Sequence, residues 1–123
     1  MSRALAVFTV GLRGRKLRVR VVPTEDDVDA ECRRYEGRRS ASSRTITNAY
    51  FQPPRNNWKS AGIIVLPADG RLNELVPHEV VHAVLYRVGG VHTTSDESFA
   101  TDVGRICASI LRQIARRGIE VTP

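Results

Sequence analysis

Two histidines four residues apart, with a glutamate directly after the first, are the residues of this chain best suited to chemistry: His78-Glu79-Val80-Val81-His82. On an α-helix, positions four apart share one face, so both imidazoles can reach a single metal ion. Glu79 projects from nearly the same face, where a carboxylate can act as general base toward water at the metal. The ligand types favour Zn2+ as cofactor, and the chemistry they imply is attack of activated water on a carbonyl carbon, with Glu79 passing the proton to the leaving amine.

A catalytic zinc takes three protein ligands and leaves one position open. Glu97 is one candidate for the third, fifteen residues after His82 and in the first turn of the following helix. Ala100, Gly104 and Ala108 continue its face with small side chains, which predicts a close approach of the two helices. His92, in the connection between those helices, is the alternative ligand; it is also a candidate donor to a developing oxyanion. Asp96 suits a helix cap or an outer position better. Tyr50 and Tyr86 are further candidates for stabilising the oxyanion.

The elements that must position these residues can be read from periodicity. Ala6, Phe8, Val10 and Leu12 alternate along one strand; after a turn at Arg13-Gly14, Leu17, Val19 and Val21 alternate with Lys16, Arg18 and Arg20. This predicts a β-hairpin with one wet face. Thr24 caps a helix with Glu25, Asp26 and Asp27 in its first turn, where the dipole favours negative charge. Val28, Cys32 and Tyr35 recur at helical spacing until Gly37 ends the run. A polar loop follows over 38–43, and Thr45 to Gln52 is rich in β-formers. Pro53 to Asn57 is a turn, and Trp58 is expected to be buried. Ala61 to Leu66 is an apolar strand ended by Pro67, expected to form the edge of a cleft to which an extended peptide could pair.

The helix bearing the two histidines is expected to start near Asn73 or at Pro77, since proline is tolerated in a first turn, and to end at Gly89-Gly90. Leu75, Val81, Ala83, Val84, Leu85 and Val88 supply its buried positions. A last helix, capped at Thr94 or Ser95, carries the apolar stripe Val103, Ile106, Cys107, Ile110, Leu111 and Ile114 and stops at Gly118. The fold class is therefore α+β: an N-terminal hairpin, a helix, further strands of a mixed sheet, the histidine-bearing helix and a packed C-terminal helix.

With 123 residues the chain is expected to form one domain, residues 1–123. No apolar run is long enough to span a bilayer and no Sec-type leader opens the chain, so the expectation is a cytoplasmic protein without membrane partners. Cys32 and Cys107 lack CxxC spacing and read as free thiols on buried helix faces. The net charge of +6 comes from basic residues spread along the chain; it allows contact with nucleic acid but names no binding motif.

The strand Gly62 to Pro67, the H-E-x-x-H helix and Glu97-Ser98-Phe99-Ala100 together resemble the zincin superfamily of metallopeptidases. The combination is similar to a minimal gluzincin of the compact bacterial and phage-encoded kind, and more distantly to the ImmA/IrrE type. The resemblance implies a small zincin-like domain, zinc bound by His78, His82 and Glu97, Glu79 as general base, and a protein or peptide substrate. A non-catalytic zincin acting as a metal-stabilised binding module, for nucleic acid or a protein partner, is the alternative.

Overall fold

The hairpin forms as its alternation requires. In the computed structural model, which describes residues 3–36, 48–55, 59–89 and 97–121, strand β1 (Ala6–Leu12) pairs antiparallel with β2 (Arg15–Val22), with Ala6 opposite Val21 and Leu12 opposite Arg15. Arg13 and Gly14 both take positive φ, 47° and 80°, the conformation of a two-residue turn whose twist matches that of the flanking strands. Phe8, Val10, Leu12, Leu17 and Val19 all turn to one face and are buried.

Helix α1 (Glu25–Glu36) returns the chain. Its start is a reciprocal cap: Thr24 Oγ1 accepts from the Asp27 amide at 3.2 Å, and Asp27 Oδ2 accepts from the Thr24 amide at 3.1 Å. The short strand β3 (Tyr50–Gln52) and then β4 (Ser60–Pro67) follow. The sheet order is β1-β2-β4-β3, with β2 and β4 parallel and the other pairs antiparallel.

This order corrects one expectation. β4 is not an edge: it is paired by β2 on one side and β3 on the other, so its backbone groups are consumed in two ladders. On that side of the sheet β3 is the outer strand instead, as β1 is on the other.

One irregularity makes the β3–β4 contact possible. Lys16 lies opposite Ser60 and Leu17 opposite Gly62, so Ala61 is an extra residue on β4, a β-bulge. Gly62 has φ 111°. A Cβ there would stand 2.6 Å from the Gln52 carbonyl oxygen and 2.6 Å from the Phe51 ring, so β3 can lie against β4 only because residue 62 has no side chain.

Helices α2 (Leu72–Arg87) and α3 (Glu97–Arg116) cover one face of the sheet. α2 begins at Leu72, beside Asn73, the earlier of the two expected starts: Leu72 and Val76 are fully buried, which draws the turn before Pro77 into the helix and leaves the proline inside it. The proline then forgoes one backbone hydrogen bond, a loss offset by that apolar burial. Ile106, Ile110 and Ile114 of α3 are fully buried against the same core, each contributing roughly 1.5–3 kcal/mol. On the opposite face, α1 packs Val28 and Cys32 onto Val22, Val65 and Tyr50, forming a second, smaller core.

The architecture is α+β as expected, and among the described residues no helix is long and apolar enough to cross a membrane. Neither Cys32 nor Cys107 is in a disulfide among the described residues; the first is buried and the second half-buried. The expectations for Gly37, the 38–43 loop, the start of the 45–52 strand, Trp58, Gly90, His92, the caps Thr94 and Ser95, and Asp96 fall outside the described residues.

Candidate metal centre and its cleft

His78, His82 and Tyr86 stand one turn apart along the exposed side of α2, and all three line an open cleft of about 820 Å³. Its opposite wall comes from Ala49, Phe51 and Pro53 on and around the outer strand. The Phe51 and Tyr86 rings meet across it with centroids 6.0 Å apart. Because Phe51 lies opposite Ile64 in the sheet register, it faces the α2 side, and the bulge at Gly62 lets it do so.

The two imidazoles converge. His78 Nε2 and His82 Nε2 are 3.3 Å apart, with the rings nearly perpendicular at 72°. Two nitrogens bound to one tetrahedral zinc at about 2.05 Å would be separated by roughly 3.3 Å. The separation is long for an N–H···N hydrogen bond. In one tautomer pair one ring nitrogen donates to the other; with both ring protons on Nδ1 the two Nε2 lone pairs are free for a shared cation. The donor set fits a zinc ion at this end of the cleft.

Glu79 is set differently from its neighbours. It belongs to the buried stripe of α2 with Val76, Val80 and Ala83 and is only 4% exposed, while the His78 side chain is 66% exposed. Its carboxylate still reaches the cleft, with Oε2 3.9 Å from His78 Nε2. Burial pushes the Glu79 carboxyl above its ordinary range, partly countered by the charge of His78 nearby. A carboxylate so placed is a better proton acceptor than one in water.

Glu97 is the first residue of α3 and is exposed. The small-residue face that continues from it is exposed too. Ala100, Gly104 and Ala108 all face outward, and a Cβ on Gly104 would meet nothing within 4 Å. The close helix approach expected there is not made, because α3 packs through Phe99, Ile106, Ile110 and Ile114 instead. Among the described residues no three of His, Cys, Asp and Glu gather as a metal-holding group; the structure brings together His78, Glu79 and His82 but does not add Glu97 to them.

Both tyrosines line the cleft, but Tyr50 is buried and belongs to the α1-side core, whereas Tyr86 is 52% exposed beside the histidines. Phe51 and Leu85 are cleft residues that sequence reasoning did not single out. The i, i+4 ladder from His78 through His82 to Tyr86 was the available signal for the α2 wall; nothing local in the sequence places Phe51 opposite it.

Comparison with protein-family models, with curated proteins and with solved structures found no match.

Proposed function

We propose that the chain is a zinc-dependent peptidase. The observation that carries this reading is the 3.3 Å convergence of His78 and His82 Nε2 beside the buried carboxylate of Glu79, inside a cleft large enough for several side chains. His78 and His82 would hold the ion, with Glu97 or His92 as third ligand. When bound, zinc supplies Lewis acidity toward a carbonyl oxygen and makes water a usable nucleophile near neutral pH.

The remaining chemistry belongs to the protein's own side chains. Glu79 accepts the proton of the attacking water and delivers it to the departing amine nitrogen. Tyr86, one turn beyond His82, is the hydroxyl best placed to donate to the developing oxyanion. Phe51 and Leu85 give the cleft an apolar wall for a substrate side chain. An extended peptide would run alongside β3, the outer strand on the cleft side of the sheet. The absence of a candidate membrane-spanning helix among the described residues is compatible with a cytoplasmic setting, which belongs to the same proposal.

Metal content by mass spectrometry on protein purified without a metal-affinity tag, with a His82→Ala variant alongside, tests the centre. About one zinc per chain, lost in the variant, is the expected result. Cleavage of an unfolded protein substrate by the zinc-loaded chain, abolished in Glu79→Gln, tests the activity. Zinc binding without cleavage would instead favour a metal-stabilised binding module, and protein that takes up no zinc would overturn the reading.

A further inference from the structure

The face of the sheet opposite α2 and α3 carries a second concavity, of about 650 Å³. Its floor is a row that crosses all four strands: Thr9 lies opposite Arg18, Arg18 opposite Ile63, and Ile63 opposite Gln52. Lys16 stands beside this row on β2, and Arg55 and Lys59 flank positions 56–58 in the sequence between β3 and β4. Among the described residues four cations line the concavity and no carboxylate does.

The same strand shows how this protein treats a cation it means to neutralise. Arg20 is two residues beyond Arg18 on the same face, under α1. There its Nε lies 2.9 Å from both carboxylate oxygens of Glu31, a residue only 1% exposed. Where α1 ends its cover, Lys16 and Arg18 are exposed and neither forms an ion pair with a described residue. Like charges set two apart on a strand, about 6.6 Å, repel one another weakly in water, and an anion with repeated charges laid over them turns that repulsion into attraction.

The geometry points to a binding site for single-stranded nucleic acid on this open sheet face, held through its phosphodiester backbone. Two features favour that occupant over an acidic peptide. The floor strands spend their backbone groups on the ladders β1·β2·β4·β3, and the rim carries Pro53 and Pro54, which have no N–H, so a peptide would gain little main-chain hydrogen bonding. A nucleic acid strand needs none, because each unit carries a fixed charge for Lys16, Arg18, Arg55 and Lys59. Thr9 and Ser60 add hydroxyl groups, and Ile63 offers an apolar surface between the charges. Charge is the contact these lining residues offer, since among the described ones none carries an aromatic ring. The site lies on the other face of the sheet from His78 and does not depend on the peptidase reading.

The test is fluorescence anisotropy with a labelled oligothymidylate of about twelve nucleotides, over a salt series. Four phosphate contacts predict a slope of log K on log salt of about −2.8, which weakens binding roughly fifty-fold between 50 and 200 mM. Lys16→Gln with Arg18→Gln should weaken binding at least ten-fold and reduce the slope by about 1.4. Arg112→Gln with Arg116→Gln removes the same charge from the exposed side of α3, behind the other face of the sheet, and should cost less than about two-fold. All four side chains are exposed, and unchanged thermal midpoints will show that the variants fold. Equal losses from both pairs, no binding at 50 mM salt, or equally tight binding of an oligoglutamate of the same charge would each overturn the proposal.

Discussion

Arg13 Nε donates to Asp102 Oδ2 at 2.6 Å, joining the tip of the N-terminal hairpin to the second turn of α3 across 89 positions of sequence. The same guanidinium reaches Ser98 Oγ at 2.6 Å, and the Arg13 carbonyl accepts from Arg87 Nη2 at 2.9 Å. One turn residue thus ties the end of α2 to the start of α3, the two helices from which the metal ligands are proposed to come. Arg13→Ala should lower stability by about 1 kcal/mol, since the pair is partly solvated. A double-mutant cycle with Asp102→Ala, followed by urea unfolding, should show a coupling of roughly 0.5–1 kcal/mol; strict additivity would mean that the contact contributes nothing.

The burial of Glu79 has a cost that can be measured in metal-free protein. Its folded carboxyl keeps a proton to higher pH than the ordinary 4.5, so the folded state binds more protons than the unfolded one between those two values. Stability therefore falls as pH rises through that window. Glu79→Gln should raise the thermal midpoint of the metal-free protein near pH 7, and the two proteins should converge near pH 4, where the wild-type carboxyl is protonated in both states. A gain that persists undiminished at low pH would point to a cause other than the buried charge. In zinc-loaded protein the same variant should keep the metal and lose hydrolysis.

Gly62 is where the position of the cleft wall is decided. Gly62→Ala forces a Cβ to within 2.6 Å of the Gln52 carbonyl and the Phe51 ring, at a φ of 111° that disfavours any side chain. The expected cost is about 2–3 kcal/mol. The Phe51–Tyr86 contact should loosen with it, visible as reduced near-ultraviolet dichroism at a temperature where the variant is still folded.

If His78 and His82 bind zinc, the ion stabilises the folded state by mass action. At free zinc about one hundred times its dissociation constant, the gain is about 2.7 kcal/mol, which raises the midpoint by roughly 10 °C in a chain of this size. His78→Ala and His82→Ala should each abolish the shift, while Tyr86→Phe should leave it intact. A zinc shift that survives both histidine variants would place the ion elsewhere.

The outcome of each sequence reading follows from the range of the forces behind it. The hairpin, its Arg13-Gly14 turn, the Thr24 cap and the isoleucine stripe of α3 were legible because each is a local pattern: a period of two, a period near 3.6, or a residue type demanded by one backbone conformation. The convergence of His78 and His82 is local in the same sense, since four residues of helix bring them together. Strand order is another matter. β3 has three residues, too few for a periodic signal, and its place outside β4 depends on a bulge that lets a phenylalanine ring pass over Gly62. Glu79 was expected on nearly the same face as the histidines, yet the packing of Leu72, Val76 and Val80 rotates α2 so that Glu79 joins the buried stripe while the histidines stay exposed. Ala100, Gly104 and Ala108 suggested a contact face, but the larger apolar area of Phe99, Ile106, Ile110 and Ile114 set the rotation of α3 and left the small residues in water. The arginines of β2 were equivalent in sequence; only the cover of α1 separated Arg20, paired with Glu31, from Arg18 in the open. Local sequence determined the elements and the two converging imidazoles. Tertiary packing decided which faces were covered, because burial is set by the summed apolar area of residues far apart in the chain.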